Sequence, residues 1–357
     1  MSAEIGKIRV SAGEGYDISV GSGLLDSVGE NLGDIRPGCS IAVFSDSNVA
    51  PLYLSRVEGS LRASGFKTSS FVFPAGEKSK NMGTITDMLE FMASSGITRT
   101  DAAAALGGGV TGDMAGFASG IYMRGIKFVQ IPTTLLAMVD SSVGGKCAAD
   151  LREGKNLAGV FHQPSSVVCD TDTLGTLPPE VFSDGLAEAI KTGILRGEEL
   201  FSRFESNAGT DGIETTIMMC IEYKKGIVEQ DEKELGIRKL LNLGHTAGHA
   251  VEKLSGYTVQ HGHAVAAGTS IISSASEHLG WSEPGTAARI KRVLSGNGLP
   301  VSCGYSPEQL AEAALSDKKR SGNEVTLVIP EKIGHCTLRT VPVGDLAGIF
   351  RAGMEDA

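Results

Sequence analysis

The chain has 357 residues, 32 basic and 42 acidic side chains, a formal net charge of -10 and 41% hydrophobic residues. That length is long for one hydrophobic core and predicts two domains, and the acidic balance argues against nucleic-acid or acidic-membrane partners. No apolar run reaches the roughly 20 residues of a membrane span, and the start, Met-Ser-Ala-Glu-Ile-Gly-Lys, is not expected to be a signal peptide. Six scattered cysteines (Cys39, Cys147, Cys169, Cys220, Cys303, Cys336) with no C-x-x-C pair predict reduced thiols and a cytoplasmic location.

In chain order, residues 5 to 20 alternate weakly and predict strands, with a hairpin around Gly13 and Gly15. Ile41-Ala-Val-Phe44 is a short, wholly apolar run, as a buried parallel strand requires. It ends in Ser45-Asp46-Ser47-Asn48, where Asp46 could bind ribose hydroxyls or simply cap a helix. Ser70 to Phe73 predicts a further strand, followed by Pro74-Ala-Gly-Glu77-Lys78-Ser79-Lys80 and a helix over about Thr84 to Ser94. Ala102 to Leu106 predicts a third strand, running into Gly107-Gly-Gly109-Val-Thr-Gly112-Asp113 and an apolar helix. This is G-x-G-x-x-G between strand and helix, so phosphates could sit on backbone N–H groups at the helix start. The acidic residue usual about 20 positions later is absent, which leaves Asp46, upstream, for the ribose. Lys127 to Ile131 predicts a fourth strand. The polar loops after it, Val139-Asp140-Ser-Ser-Val-Gly-Gly-Lys146 and Gly154-Lys155-Asn156, suggest an anion site or solvated surface lysines.

Thr176-Leu-Pro178-Pro179 places the domain boundary, and beyond it the pattern is mainly helical. In Gly185-Leu-Ala-Glu188-Ala-Ile-Lys191-Thr, positions 186, 187, 190 and 194 predict a buried helix face. Glu188 and Lys191 are neighbours on that helix, either as a surface ion pair or as a metal ligand beside a substrate-binding lysine. Asn242 to Gly268 holds four of the seven histidines: His245, His249, His261 and His263. His245 and His249 share a helix face by spacing, and histidines from two chain segments suit zinc. The H-E-x-x-H of zinc peptidases has a glutamate where this chain has Thr246, which argues against a peptidase. Glu plus two histidines would leave an open coordination position, as a catalytic zinc needs. Ile271, Ile272 and Ala275 continue a tightly packed helix, and Val325 to Ile329 predicts a late strand.

Taken together, L-G-G-G-V-T-G-D-M-A-G-F-A, Q-I-P-T-T-L-L-A-M-V-D-S-S-V-G-G-K, G-L-A-E-A-I-K and L-N-L-G-H-T-A-G-H-A-V-E resemble the 3-dehydroquinate synthases. The resemblance runs from about Asp46 to Lys319. It implies an α/β, Rossmann-like NAD-binding domain over 1–177 and a mainly α-helical metal- and substrate-binding domain over 178–357, with the active site in the cleft. Carried over residue by residue, it implies the metal ligands Glu188, His245 and His261 for zinc or cobalt, with His249 off the metal. It implies NAD contacts from Asp46, Asn48, Glu77, Lys80, Gly108, Gly109, Val110, Asp113, Thr133, Thr134, Lys155, Thr173 and Thr176. Substrate contacts would be Arg124, Asp140, Lys146, Asn156, Lys191, Lys224, Arg238, Asn242 and one or both of Lys318 and Lys319. Glu234 and His249 match the family's proton-handling positions, and Lys146, Arg124 and Asn156 are also placed in the catalytic group. This chain departs from the family in reading His261-Gly262-His263 where H-G-E is usual, and in having Ala247 where an aromatic is usual.

The implied reaction turns 3-deoxy-D-arabino-heptulosonate 7-phosphate into 3-dehydroquinate and phosphate, in the shikimate pathway. Transient oxidation by NAD, phosphate elimination, reduction and an intramolecular aldol closure follow one another, so the cofactor is regenerated. The implied partner is a small sugar phosphate, bound by a homodimer. Two rivals stay open at this point: another sugar-phosphate cyclase, and a metal-dependent polyol dehydrogenase.

Overall fold

A computed structural model of the chain describes residues 6–206, 209–316 and 323–355. These divide into two compact units, Met1–Leu177 with Lys224–Glu232, and Pro178–Tyr223 with Lys233–Ala357.

The first unit opens with β1 (Gly6–Val10) and β2 (Tyr16–Gly21), an antiparallel hairpin turning at Gly13 and Gly15, both with positive φ. Then come β3 (Ser40–Asp46), α1 (Ala50–Ala63), β4 (Lys67–Phe73), α2 (Met82–Ser94), β5 (Ala102–Gly107), α3 (Gly109–Ile121) and β6 (Lys127–Pro132). A separate antiparallel pair, β7 (Lys146–Leu151) and β8 (Gly154–Phe161), precedes β9 (Ser166–Asp170). The main sheet has the order β1-β2-β9-β6-β5-β3-β4, parallel except at the β1 edge.

Its strands read as apolar runs because both faces are covered. Successive residues of β3 alternate between them. Ala42 and Phe44 join Met88, Met114 and Phe128 in one core, while Ile41 and Val43 join Leu61, Leu106 and Val168 in the other. Counted in chain order from β3, five of the six parallel strands lie in the order 2-1-3-4-5, so the direction of winding reverses between β3 and β5. A crevice at the carboxyl ends of those two strands is where such sheets hold ligands.

The second unit carries α4 (Pro179–Arg196), α5 (Glu198–Glu205) and the start of α6 (Ile213–Gln230), whose end from Lys224 groups with the first unit. It continues with α7 (His245–Leu254), α8 (His261–His278), α9 (Thr286–Gly296) and α10 (Pro307–Ser316). The hairpin of β10 (Glu324–Lys332) and β11 (His335–Pro342) and the helix α11 (Leu346–Met354) complete it. The single buried face expected for α4 is an underestimate: every residue from Gly185 to Leu195 is buried, including Glu188 and Lys191. Backbone contact fixes α7 against α8, since a Cβ on Gly268 would lie 2.1 Å from the Gly244 carbonyl oxygen.

Candidate active site

Asp46 ends β3 and Gly107 ends β5, so the two flank the point where the sheet reverses its winding. Asp46 Oδ1 accepts the Asn48 and Val49 backbone N–H groups at 2.8 and 3.1 Å, and Thr111 Oγ1 donates to Oδ2 at 3.4 Å. The carboxylate therefore shapes its own loop and also faces the start of α3. Gly108 is the N-cap of α3 and offers no side chain, so the first-turn N–H groups, including those of Gly109 and Val110, lie open to an anion. A Cβ on Gly107 would lie 2.4 Å from Thr111 Oγ1, and one on Gly108 would lie 3.0 Å from Thr134. The turn is thus a shallow backbone cradle. Thr133 donates its backbone N–H to the Gly107 carbonyl, and its buried hydroxyl has no hydrogen-bond partner. Thr134 Oγ1 accepts the Ala137 N–H at 3.2 Å. Thr173 and Thr176 are more committed: each hydroxyl donates to a backbone carbonyl, and Tyr53 lies 2.6 Å from that of Thr176.

Around the cradle, ion pairs tie separate elements together. Lys80, buried, lies 2.6 Å from Asp113 on α3, and Lys155 on β8 lies 3.4 Å from Glu77. Burial works against the Lys80 charge, but Asp113 and Glu77 outweigh it and raise its pKa. Burial lifts Asp113 above the usual carboxylate range against the pull of Lys80. Lys224, on the part of α6 that belongs to this unit, donates to the Asp140 carbonyl at 2.7 Å and to its carboxylate at 2.8 Å. Asp140 lies in a one-turn π-helix, Ala137–Ser141, a form frequent at functional sites. Lys146 opens β7 and is exposed, as are Arg124 and Asn156. Arg124 and Asn156 have φ of 69° and 57°, and Glu234, in the second unit, has 60°. Left-handed backbone is uncommon without glycine and concentrates where a side chain must be aimed.

In the second unit Glu188 comes from α4, while His245 and His261 are the first residues of α7 and α8. Their ligand atoms lie within 4.8 Å of one another. Glu188 Oε1 is 3.4 Å from His261 Nε2 and 3.9 Å from His245 Nε2. Glu188 is only 1% exposed and neither carboxylate oxygen accepts a hydrogen bond of good geometry, although Lys191 Nζ, also buried, lies 2.5 Å from Oε2. Buried acceptors facing two imidazoles, without regular donors, fit a divalent cation.

Burial disfavours the Glu188 charge, but Lys191 and the two histidines outweigh it and hold the carboxyl well below its usual range. Burial and the nearby Lys191 charge push His245 well below its ordinary value, which keeps a ring lone pair available. His261, opposed by burial but facing the Glu188 and Glu252 carboxylates, is raised to about 10. The far nitrogens are also engaged: His245 Nδ1 lies 3.1 Å from the Leu243 carbonyl, and His261 Nδ1 lies 3.2 Å from Glu252 Oε2. Such partners fix a ligand's tautomer and ring angle.

His249 is exposed, with its ring centroid 5.3 Å from that of His245 and 5.9 Å from that of His261. His249, Glu252 and His261 also form a set of convergent ligand atoms. His263 turns the other way, with Nδ1 3.1 Å from Asp184 Oδ1 on α4. Asn242 Nδ2 donates to Glu234 Oε1 at 2.8 Å, and Arg238 is buried in the turn before Asn242. Lys318 and Lys319 lie outside the described residues.

Residues 70–184 match the family model described as 3-dehydroquinate synthase N-terminal, and residues 185–320 match the one described as 3-dehydroquinate synthase C-terminal. The chain belongs to the 3-dehydroquinate synthase family. A curated 3-dehydroquinate synthase of Enterococcus faecalis is 40% identical over 337 residues, covering 93% of this chain and 94% of that protein. Among solved structures, 2-epi-5-epi-valiolone synthase of Streptomyces hygroscopicus, with NAD+ and Zn2+ bound, is 25% identical with a TM-score of 0.85, covering 96% of this chain and 97% of that one. The fold is also that of a 2-deoxy-scyllo-inosose synthase complexed with carbaglucose-6-phosphate, NAD+ and Co2+, at 24% identity, a TM-score of 0.87, and coverage of 98% and 100%. As a 3-dehydroquinate synthase family member the chain is an enzyme, a phosphate-eliminating lyase that makes 3-dehydroquinate.

Two carboxylates in this 3-dehydroquinate synthase fold went unseen in the sequence. Glu252 is three residues after His249 and seven after His245, the same helix face, but reads as a solvated charge. Asp184 is one turn before Glu188 and reads as an ordinary polar residue early in a helix.

Proposed function

We propose that Glu188, His245 and His261 hold one divalent metal, zinc or cobalt, and that NAD binds at the Asp46 and Gly107–Gly109 crevice, for conversion of 3-deoxy-D-arabino-heptulosonate 7-phosphate to 3-dehydroquinate. The observation that carries this reading is the buried Glu188 carboxylate, which pairs with Lys191 through one oxygen and faces two imidazole nitrogens with the other. When bound, the metal supplies a Lewis acid for the substrate hydroxyl and ketone, and NAD supplies a reversible hydride acceptor. The chain's own residues bind, orient and move protons. Asp46 and Asn48 take the ribose, and Gly108, Gly109, Val110, Thr133 and Thr134 take the pyrophosphate side. Glu77, Lys80, Asp113 and Lys155 hold the surrounding wall, with Thr173 and Thr176 further along the crevice.

Arg124, Lys146 and Lys224 neutralise the substrate's anionic groups, Asn156 donates hydrogen bonds to them, and Asp140 orients Lys224. In the second unit, Lys191 and Arg238 are assigned to charge neutralisation and Asn242 to hydrogen bonding, together with one or both of Lys318 and Lys319. His249 and Glu234 handle protons. The left-handed backbone at Arg124, Asn156 and Glu234 supports side chains held at a fixed angle. Such a site works by orientation and charge neutralisation.

The reading includes a homodimer in the cytoplasm. Leu157 and Phe161 of β8 are 54% and 47% exposed on one face of that strand, an apolar strip that a second copy would cover. Six free cysteines support a reducing compartment, and no helix among the described residues is long and apolar enough to cross a membrane.

The test is stoichiometry. Phosphate release should equal substrate loss, require both NAD and metal, and leave no NADH at the end. Equimolar NADH would move the enzyme to the polyol dehydrogenases.

A further inference from the structure

We infer that Asp184 and His263 form a positioning lock between α4 and α8 that sets the spacing of two metal ligands, Glu188 and His261. The inference rests on the ligand reading above.

Helix α8 begins at His261, and its N-cap, Gln260, makes no side-chain hydrogen bond. The first-turn N–H groups therefore need an acceptor from elsewhere. Asp184 on α4 supplies one: Oδ1 accepts the backbone N–H of His263 at 3.0 Å and lies 3.1 Å from its ring Nδ1. One carboxylate oxygen thus grips both the backbone and the side chain of one residue. The Asp184 carbonyl oxygen presses on the same turn, since a Cβ on Gly262 would lie 1.9 Å from it. Only glycine allows that approach. Ser183 Oγ lies 3.4 Å from His263 Nε2 and donates to the Glu180 carbonyl at 3.0 Å. Both ring nitrogens therefore face α4, and the serine hydroxyl is committed to backbone, which argues against a nucleophilic Ser-His-Asp set.

The placement gives the contact its consequence. Asp184 is one helical turn before Glu188, and His263 is two residues after His261. A shift of α8 along α4 would change the 3.4 Å separation of Glu188 Oε1 and His261 Nε2 directly. The pairing also accounts for the departure at this position. A glutamate at 263 would set a second carboxylate beside Asp184, whereas a histidine can donate to it.

The experiment measures zinc affinity of the purified full chain by chelator competition, together with the visible spectrum of the cobalt-loaded protein. Asp184→Ala and His263→Ala should each weaken zinc binding by about 10–100-fold and shift the cobalt bands. Asp184→Asn keeps an oxygen acceptor and should recover most of the affinity, and His263→Glu should bind more weakly than His263→Ala. Ser306→Ala removes an ordinary cap in the same unit, where Ser306 Oγ accepts the Gln309 N–H at 3.2 Å. It should lower Tm and leave zinc affinity unchanged. Unaltered affinity and cobalt spectrum in Asp184→Ala and His263→Ala would overturn the lock, as would an equal loss in Ser306→Ala. If Asp184→Ala does not fold, His263→Ala and Asp184→Asn decide the matter. His245→Ala separates the two claims, because retention of tight zinc there overturns the ligand reading itself.

Discussion

The crevice at the carboxyl ends of β3 and β5 and the histidine cluster of the second unit are built on different plans. In the crevice nearly every polar side chain already has a protein partner. Asp46 is bonded by its own loop, Lys80 pairs with Asp113, Lys155 with Glu77, and Thr173 with backbone; the buried hydroxyl of Thr133 is the exception. In the cluster, Glu188 pairs with Lys191 through Oε2 but turns its buried Oε1 toward two imidazole nitrogens. The difference fits the ligands proposed for each. A dinucleotide binds through many modest contacts spread over its length, so the receiving side chains can rest in internal pairs. A divalent cation needs several lone pairs in one place, which no arrangement of protein donors satisfies as well.

Breaking the cluster should therefore cost far more than breaking the crevice. Glu188→Ala should abolish tight metal binding and essentially all turnover. It should also remove the carboxylate that lies 2.5 Å from the buried Lys191 ammonium, costing about 3 kcal/mol in urea unfolding. Glu252→Gln should keep the fold but weaken zinc by about 10–100-fold, read by chelator competition, because His261 loses a charged partner at Nδ1. Asp46→Ala should do least to the protein. It should lower stability by about 1 kcal/mol and weaken NAD by about tenfold in a fluorescence titration, with metal content unchanged. A larger effect on stability than on NAD would make Asp46 a loop residue only.

Legibility in the sequence follows the same division. The strands of the first unit could be read because burial on both faces makes apolar runs such as Ile41 to Phe44 and Ala102 to Leu106. The full burial of α4 could not, since Glu188 and Lys191 are residues that ordinarily face water. Spacing alone joined His245 to His249. The structure brings His245 to Glu188 and His261 from two other helices, a juxtaposition made by tertiary packing and reachable from sequence only through the family motifs. Glu252 and Asp184 escaped because a lone carboxylate on a helix carries no sign of what it will touch. The grouping of Lys224–Glu232 with the first unit escaped as well, because it divides one continuous helix.

The most direct test is metal content after exhaustive dialysis of His261→Ala beside His249→Ala. The two rings lie 5.9 Å apart and differ in the role assigned. His261→Ala should come out metal-free and inactive. His249→Ala should keep one equivalent of metal and lose about 10²–10⁴-fold in turnover, as an acid/base group would. Metal retained in His261→Ala and lost from His249→Ala would contradict the account.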